Sequence, residues 1–326
     1  MMRKLVLSIL FASALSVAHG QLVVPNPAMF PDHVDPLLKS DWAQGAPFDN
    51  LTPTYTTQNS ITGTTVTHHC PVGCVATALS QIMYYWKYPD VGNGEIKRKT
   101  FIDKDSVKAN FGETHYDWSN MLDHYDNTTS GYSEAQIRAV ATLSFHAGVA
   151  VGMIYQQSGS SAIPSSSLAT SMVDYFRYCK DSVRYVKRSD YTKEEWMDMI
   201  FRELSCGRPV FYTGKSKNAQ LGVHAFVIDG YDSEGKVHVN WGWRGLDNGY
   251  YDVDLEGVAG YDYTDNQAMI VGLMPPVSST KVNAIQTSSN KKAVGVYTID
   301  GKRVTNPEKG MYVILYSNGE ASKVLY

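Results

Sequence analysis

The sequence has little cysteine and little net charge, and each shortage excludes a class of protein. Four cysteines in 326 residues are too few for a fold that depends on disulfides: Cys70, Cys74, Cys179 and Cys206. A formal net charge of −3, with no basic patch carrying interleaved aromatic residues, argues against a nucleic-acid partner. An oxidising compartment would permit a Cys179–Cys206 disulfide, but the sequence does not decide whether it forms.

Long apolar runs, internal repeats and low-complexity tracts are also missing. Beyond the N-terminal segment, no stretch approaches the ~18 apolar residues that a transmembrane helix needs, so no membrane span is expected. Hydrophobic residues make up 43% of the chain and charged residues 19%, an ordinary globular balance. The sequence therefore predicts a folded protein with a substantial buried core.

The N-terminus has the three parts of a secretory signal peptide. Arg3 and Lys4 are basic, residues 5–17 are mostly apolar, and Ala18-His19-Gly20 offers small residues for cleavage. The alternative is a buried first strand or helix. We expect residues 1–20 to be removed and the protein to be secreted, to the extracellular space or the cell surface.

Hydrophobic periodicity predicts an α+β protein in which helices come first and strands follow. Helical patterns cover residues 75–88, 133–150, 166–178 and 193–205, the last opened by a capping box of Thr192 and Glu195. Short strand patterns cover 210–212, 225–228, 237–241 and 250–253. This order favours segregated layers over alternating βαβ units.

Composition divides the chain into a short lead, one large domain and a tail. Residues 21–34 form a short lead or vestigial propeptide, and 35–276 read as one continuous domain. A Pro- and Ser-rich boundary precedes residues 277–326, where two strand patterns and the turn signals at Asp300-Gly301 and Asn318-Gly319 predict a small β module.

Cys74 opens an apolar helix, and this position has a chemical consequence. Gly73 precedes it, and Val75, Ala78 and Leu79 begin an apolar helical repeat. Unpaired N–H groups at a helix N-terminus favour a thiolate and can bind a developing oxyanion. The sequence thus offers a cysteine nucleophile, or alternatively a small buried core residue.

His224 and Asn240 complete a cysteine-peptidase order. His224 opens an apolar strand 150 residues after Cys74, and Asn240 follows 16 residues later, which matches the order nucleophile, base and orienting amide. Asn240 would hold the imidazole tautomer, and the indole of Trp241 would shield that hydrogen bond from water. A structural histidine is the alternative for His224 alone.

The region from about residue 36 to 275 resembles the streptopain family of cysteine peptidases, particularly its Bacteroidetes members. The matching segments lie in family order and span almost the whole region: 42–48, 73–83, 85–89, 116–118, 151–155, 158–162, 207–212, 224–230 and 239–243. The resemblance implies a papain-like α+β fold, with a nucleophile helix against an antiparallel sheet. It also implies a preference for an apolar side chain one residue before the P1 position.

The resemblance also implies roles for single residues, and it implies no cofactor. Cys74 falls on the nucleophile and His224 on the base, while Asn240 and Trp241 fall on the segment that supports the histidine. Gln44 falls on an early Trp-x-Gln element and is a candidate side-chain donor to the oxyanion. A polar structural role for Gln44 stays open.

Departures from the family pattern concern the groove and latency. Arg244 replaces the usual glycine after Trp-Gly-Trp, and Gln156-Gln157 replaces a glycine-rich turn, so a narrower groove is expected. The lead of residues 21–34 is far shorter than the family's inhibitory propeptide. Control would then rest on export or on a separate proteinaceous inhibitor.

Two further motifs have competing interpretations. His68-His69-Cys70 carries ligands that suit zinc, but no second Cys/His cluster accompanies it, and we expect no metal. The tail, with residues 296–304 and 309–313, resembles the C-terminal sorting domain of type IX secretion in Bacteroidetes. A plain accessory β module is the alternative.

Together these features predict a secreted cysteine endopeptidase that acts on protein or peptide substrates through an acyl-enzyme. The alternative from another class is a catalytically idle secreted binding or adhesion module on a papain-like scaffold. The presence of Cys74, His224 and Asn240 together favours the enzyme.

Overall fold

The computed structural model describes residues 22–99, 106–218, 221–257, 262–276, 293–299, 301–305, 307, 311–316 and 321–325. Its helices are α1 (Cys74–Trp86), α2 (Glu134–Ala150), α3 (Ser166–Asp174) and α4 (Lys193–Ser205). The strands are, in chain order, β1 (Thr54–Gln58), β2 (Thr65–His69), β3 (Glu95–Lys99), β4 (Ser106–Asn110), β5 (Arg184–Lys187), β6 (Val210–Lys215), β7 (Val223–Tyr231), β8 (Val237–Asn240), β9 (Gly249–Tyr251), β10 (Asp265–Val271), β11 (Ala293–Thr298), β12 (Arg303–Val304), β13 (Met311–Tyr316) and β14 (Ala321–Leu325).

A six-stranded antiparallel sheet in the order β5-β10-β6-β7-β8-β9 forms the centre of the molecule. Strand β7 lies inside this sheet and is buried from His224 to Tyr231. Its side chains alternate between faces, so Ala225 and Val227 join one apolar cluster and Phe226 and Ile228 another. The first cluster contains α1, and the second contains α4.

Helix α1 is buried along nearly its whole length, from Val75 to Tyr84, which suits a helix enclosed by the core. It ends at Lys87, whose left-handed backbone (φ 48°) lets its N–H reach the carbonyls of Met83 and Tyr84. Pro89 follows two residues later, and proline cannot continue a helix. The α1 helix packs directly on β7 and α2.

The predicted α+β class and the four predicted helices are confirmed. The capping box of Thr192 and Glu195 forms at the start of α4, and Ser133 and Gln136 form another at the start of α2. Helix α3 ends at Asp174, earlier than its pattern predicted. The hairpins β1–β2 and β3–β4 were missed because they carry few buried residues, and the alternation in β4 rests on Val107 and Ala109 alone.

The lead packs against the end of the six-stranded sheet that lies away from His224. Phe30 is buried beside Phe201 of α4, and the Pro31 carbonyl accepts a hydrogen bond from the Tyr231 hydroxyl at 2.9 Å. Val34 then pairs with Tyr231 through both backbone groups. Tyr231 lies seven residues beyond His224, roughly 23 Å along a strand. The described lead is therefore part of the fold and does not cover the start of β7.

The tail forms a separate four-stranded antiparallel sheet in the order β12-β11-β13-β14. Among the described residues, its strands pair only with one another. The turn at Gly301 lies against the guanidinium of Arg202 on α4. Most of the predicted boundary near residues 275–281 and the turn residues Asp300, Asn318 and Gly319 lie outside the described part, so the domain limits stay predictions.

Residues 1–20, predicted to be a signal peptide, lie outside the described residues. In the part of the chain that is described, no helix combines the length and apolar character required to cross a membrane. All four cysteines are free, including Cys179 and Cys206, so the permitted disulfide is not formed in this structure.

Candidate active site

Cys74 is the first residue of α1 and lies where the helix meets the start of β7. The N-cap residue Gly73 has φ 91°, a left-handed value that favours glycine. A Cβ at Gly73 would lie 2.6 Å from the Met153 sulfur and 3.0 Å from the Ser160 carbonyl oxygen. Gly73 is thus required both by the backbone turn and by the close approach of the 153–160 loop.

Cys74 is partly exposed as a residue, but its sulfur is largely shielded from solvent. Burial raises its pKa, while hydrogen bonds from the backbone N–H groups of Ala225, Val75 and Cys74 itself lower it. The sequence predicted that the helix N-terminus would favour a thiolate. The N–H groups do act in that direction, but burial outweighs them. Ala225 directly follows His224, so the sulfur lies beside the histidine's own strand.

His224 opens the buried part of β7, and its side chain is 6% exposed. Its Nε2 lies 2.9 Å from the backbone carbonyl oxygen of Trp241. Because a carbonyl only accepts hydrogen bonds, Nε2 must carry the proton of the neutral ring. Nδ1 is then the basic nitrogen that can accept a proton from a thiol.

Aromatic rings surround the imidazole of His224. Their centroids lie 4.9 Å away for Trp243, 5.6 Å for Tyr263, 6.0 Å for Phe226 and 6.1 Å for Trp241. Burial in this apolar setting lowers the pKa of His224 to about 4, although the hydrogen bond to Trp241 works in the opposite direction. The ring is therefore neutral near pH 7, as a general base must be before it takes a proton.

Asn240 does not perform the contact that the sequence suggested for it. The orienting acceptor for His224 is the main-chain carbonyl of Trp241, one residue further on. The Asn240 amide instead bonds to Ser40, Gln81 and Gly242. It ends β8 and is buried, and its amide faces Ser40 and Gln81 of α1. The indole of Trp243 lies closer to the ring than that of Trp241 does.

Gln44 lies in the loop that runs beside the entrance to α1. Its carbonyl oxygen accepts a hydrogen bond from the N–H of Val72 at 2.8 Å, two residues before Cys74. This places the backbone of Gln44 next to the nucleophile segment. Its role as an oxyanion donor stays a prediction.

Arg244 stabilises this same loop. Its Nε donates to the Tyr125 carbonyl at 2.9 Å, and its terminal nitrogen donates to the Ala46 carbonyl at 3.1 Å. Its backbone has φ 58°, a left-handed value that is strained for arginine and costless for glycine. The guanidinium of Arg244 is thus bound to two backbone carbonyls inside the protein. The narrower substrate groove that the sequence predicted stays a prediction.

The sequence reasoning missed Gln81. It lies on α1, is fully buried, and its amide contacts both Asn240 and the loop before Gln44. A glutamine in an otherwise apolar helical face was the signal that could have revealed it, because a buried amide must find partners.

The histidines of the motif His68-His69-Cys70 have protein partners. His68 Nε2 lies 2.9 Å from the Thr57 hydroxyl, and His69 Nδ1 lies 3.0 Å from the Thr52 carbonyl. Among the residues that the structure describes, no group of three or more His, Cys, Asp or Glu side chains is arranged to hold a metal ion.

Comparison with known proteins places these features in a family. A sequence profile described as the peptidase C10 family matches residues 42–251. The chain is 34% identical over 251 residues to the thiol protease/hemagglutinin PrtT of Porphyromonas gingivalis, covering 74% of this chain and 26% of that protein. It is 34% identical over 245 residues to streptopain of Streptococcus pyogenes, covering 71% of this chain and 60% of that protein.

Solved structures agree with the sequence comparison. The active wild-type interpain A cysteine protease of Prevotella intermedia superposes with a TM-score of 0.68 at 37% identity, covering 77% of this chain and 99% of that one. A prointerpain A fragment from the same organism gives 0.66 at 36% identity, covering 79% of this chain and 77% of that one. The predicted papain-like fold is confirmed. The chain spans about a quarter of PrtT and three fifths of streptopain.

Proposed function

Because this chain belongs to the peptidase C10 family, we propose that it is a cysteine endopeptidase with Cys74 as nucleophile and His224 as general base. The observation that carries the proposal is the hydrogen bond between His224 Nε2 and the Trp241 carbonyl. This hydrogen bond fixes the tautomer of His224 in which Nδ1 is the basic nitrogen. The next residue on the same strand is Ala225, and its backbone N–H bonds to the Cys74 sulfur.

The first half of the reaction forms a tetrahedral intermediate on Cys74. Burial opposes a charge on either group alone, so the proton moves from the sulfur to Nδ1 as the sulfur attacks the substrate carbonyl. Transfer creates the two opposite charges together, each stabilising the other. The backbone N–H groups at the start of α1, and the side chain of Gln44, are proposed donors to the oxyanion.

The second half releases both products. The tetrahedral intermediate collapses, the C–N bond breaks, and the imidazolium of His224 gives its proton to the leaving amine. Neutral His224 then takes a proton from water, whose oxygen attacks the thioester carbon. Cleavage of the C–S bond, with return of that proton from the His224 imidazolium to the sulfur, restores the Cys74 thiol and frees the carboxylic acid.

Cys74→Ala tests the nucleophile, with Cys206→Ala as a matched change at an exposed cysteine. We expect Cys74→Ala to fold but to lose peptide hydrolysis by about three orders of magnitude or more, while Cys206→Ala keeps wild-type rates. Labelling with iodoacetamide, followed by peptide mapping, should find Cys74 modified as activity disappears. Hydrolysis by Cys74→Ala within about tenfold of wild type would reject Cys74 as the nucleophile, whereas no hydrolysis by the wild-type protein would leave only the idle binding module.

We also propose that the protein is secreted, with residues 1–20 as a signal peptide and 277–326 as an export address. Support comes from the tail's own four-stranded sheet and from its contact at Arg202, on the helix that packs with the lead rather than with Cys74. Protein or peptide substrates and a separate proteinaceous inhibitor are the proposed partners. A preference for an apolar side chain before P1 belongs to the same proposal.

Deletion of residues 277–326 tests the address. The purified truncated protein should hydrolyse a short peptide at the full-length rate, whereas its export from the native host should fail. Full-length Cys74→Ala is the control for export without activity. Normal export of the truncated protein would reduce the tail to an accessory β module, and loss of folding would make it part of the catalytic domain.

A further inference from the structure

Two buried amides, Gln81 and Asn240, bond to each other between the segments that carry the reacting groups. Gln81 Nε2 donates to Asn240 Oδ1 at 3.1 Å, and Asn240 Nδ2 lies 3.4 Å from Gln81 Oε1. Gln81 is fully buried and Asn240 is 3% exposed. In the described part of the chain, neither side chain forms a hydrogen bond with the imidazole of His224, so any effect on catalysis must be transmitted through other groups.

The Gln81 end of the pair joins the nucleophile helix to the loop that precedes Gln44. Gln81 lies seven residues after Cys74 on α1, or roughly 10 Å along the helix axis. Its Oε1 accepts hydrogen bonds from the Ser40 hydroxyl and from the Trp42 N–H, both at 3.0 Å. One side-chain oxygen thereby fixes the backbone two residues before Gln44 relative to α1.

The Asn240 end joins the same helix to the support of His224. Asn240 Oδ1 also accepts from the Gly242 N–H at 3.2 Å, and Nδ2 donates to the Ser40 carbonyl at 2.7 Å. Asn240 and Gly242 flank Trp241, whose carbonyl holds His224 Nε2. The amide therefore sets the turn that aims this carbonyl.

The chemistry of the pair requires amides at both positions. Each amide here donates and accepts at once, and a buried group that loses its partner is costly, so neither position tolerates a side chain that only accepts or does neither. The three segments that meet at this pair are distant in sequence, and hydrogen bonds connect them through these two side chains.

We propose that Gln81 is a positioning residue that acts through Asn240 and Trp42, holding the Trp241 carbonyl and the Gln44 loop in register with Cys74. This inference rests on the proposed function, since the positions that Gln81 maintains matter only if Cys74 and His224 are the reacting pair. A side chain that contributed only stability would change the melting temperature without changing the chemistry of the sulfur.

Gln81→Met tests the proposal, because methionine keeps the length of the side chain and removes its hydrogen bonds. We measure kcat and KM on a short peptide, the pH profile of Cys74 alkylation by iodoacetamide, and the melting temperature. We expect kcat to fall by about tenfold or more, KM to stay within about threefold, and the alkylation profile to shift.

Glu203→Gln is the matched control, because Glu203 is a buried side chain that accepts several hydrogen bonds away from Cys74 and His224. Glu203 accepts hydrogen bonds from Arg208 at 2.7 Å and from the Gly272 N–H at 2.8 Å, within α4 and its surroundings. We expect Glu203→Gln to melt at a lower temperature but to keep kcat and the alkylation profile. A kcat loss in Gln81→Met no larger than that in Glu203→Gln would overturn the proposal.

Asn240→Ala provides the second variant, and it decides the matter if Gln81→Met does not fold. It breaks the connection to Gly242 and leaves the bonds from Gln81 to Ser40 and Trp42, so kcat and the alkylation profile should change in the same direction. An unchanged kcat and an unchanged alkylation profile in Asn240→Ala would reject the proposal that Gln81 positions the Trp241 carbonyl through Asn240. Cys74→Ala separates failure of the proposed function from failure of the positioning role. If Cys74→Ala stays active, the proposed function fails whatever the result for Gln81→Met.

Discussion

The imidazole of His224 is held by the main chain of Trp241, with 2.9 Å between Nε2 and the carbonyl oxygen. A carbonyl partner fixes the tautomer as firmly as an amide side chain would, and it persists when the Trp241 side chain is replaced. The supporting side chain, Asn240, lies one step further from the ring and shapes the turn.

Replacing Trp241 should therefore cost much less than replacing His224. We expect His224→Ala to lower kcat/KM by about a thousandfold or more, because the general base is gone. Trp241→Phe keeps the carbonyl and an aromatic ring beside His224, so its loss should stay within about tenfold. Steady-state kinetics on one peptide will compare them, and equal losses would assign the orienting role to the indole.

Gly73 should not tolerate a side chain. Gly73→Ala would combine a left-handed backbone (φ 91°) with a Cβ 2.6 Å from the Met153 sulfur, next to the nucleophile. Gly63→Ala is the control, since Gly63 has φ 69° and no atom within 4 Å of its added Cβ. We expect a cost of about 1 kcal/mol for Gly63→Ala and at least twice that for Gly73→Ala, with lost activity. Urea denaturation of both variants measures this, and equal costs would contradict the packing argument.

Gln44 should affect the chemical step more than binding if it donates to the oxyanion. We expect Gln44→Ala to lower kcat by about a hundredfold, with a small change in KM, because an oxyanion donor acts mainly in the transition state. Gln58→Ala, at an exposed glutamine on β1, is a control for loss of a surface amide. A change in KM alone would instead indicate a role in binding substrate.

Stability should fall as the solution becomes acidic. Burial lowers the pKa of both His146 and His224 to about 4, from an ordinary value of 6.5. Between these values the unfolded chain binds protons that the folded chain excludes, so each ring removes up to about 3 kcal/mol as the pH drops. Asp49 has the opposite sign: burial raises its pKa to about 6, and its contribution, present in acid, is lost as the pH rises through that value. The two histidines outweigh it.

His146→Asn isolates one of these contributions. Its free energy of unfolding should change less than that of the wild type between about pH 7 and pH 4.5, since one of the two buried imidazoles is gone. Urea denaturation at the two pH values gives both differences. An identical pH dependence in wild type and variant would show that burial of His146 does not govern acid stability.

The sequence by itself determined the α+β class, the four helices and the segment that places Cys74 at a helix N-terminus. These features are local: apolar residues recur at helical spacing, Thr192 and Glu195 satisfy a capping box, and Pro89 follows the end of α1. The order of Cys74, His224 and Asn240 along the chain matched that of a cysteine peptidase, and the family resemblance implied the same roles.

Tertiary structure decided which atoms meet. The sequence pointed to the Asn240 amide, but the acceptor for His224 is the Trp241 carbonyl, because the turn after β8 directs a backbone oxygen to the ring and the amide into the core. The hydrogen bonds of Gln81, and those of Arg244 to two backbone carbonyls, were likewise decided by the tertiary structure. Backbone groups carry no sequence signal, and a hydrogen bond between residues 159 positions apart depends on how the layers pack.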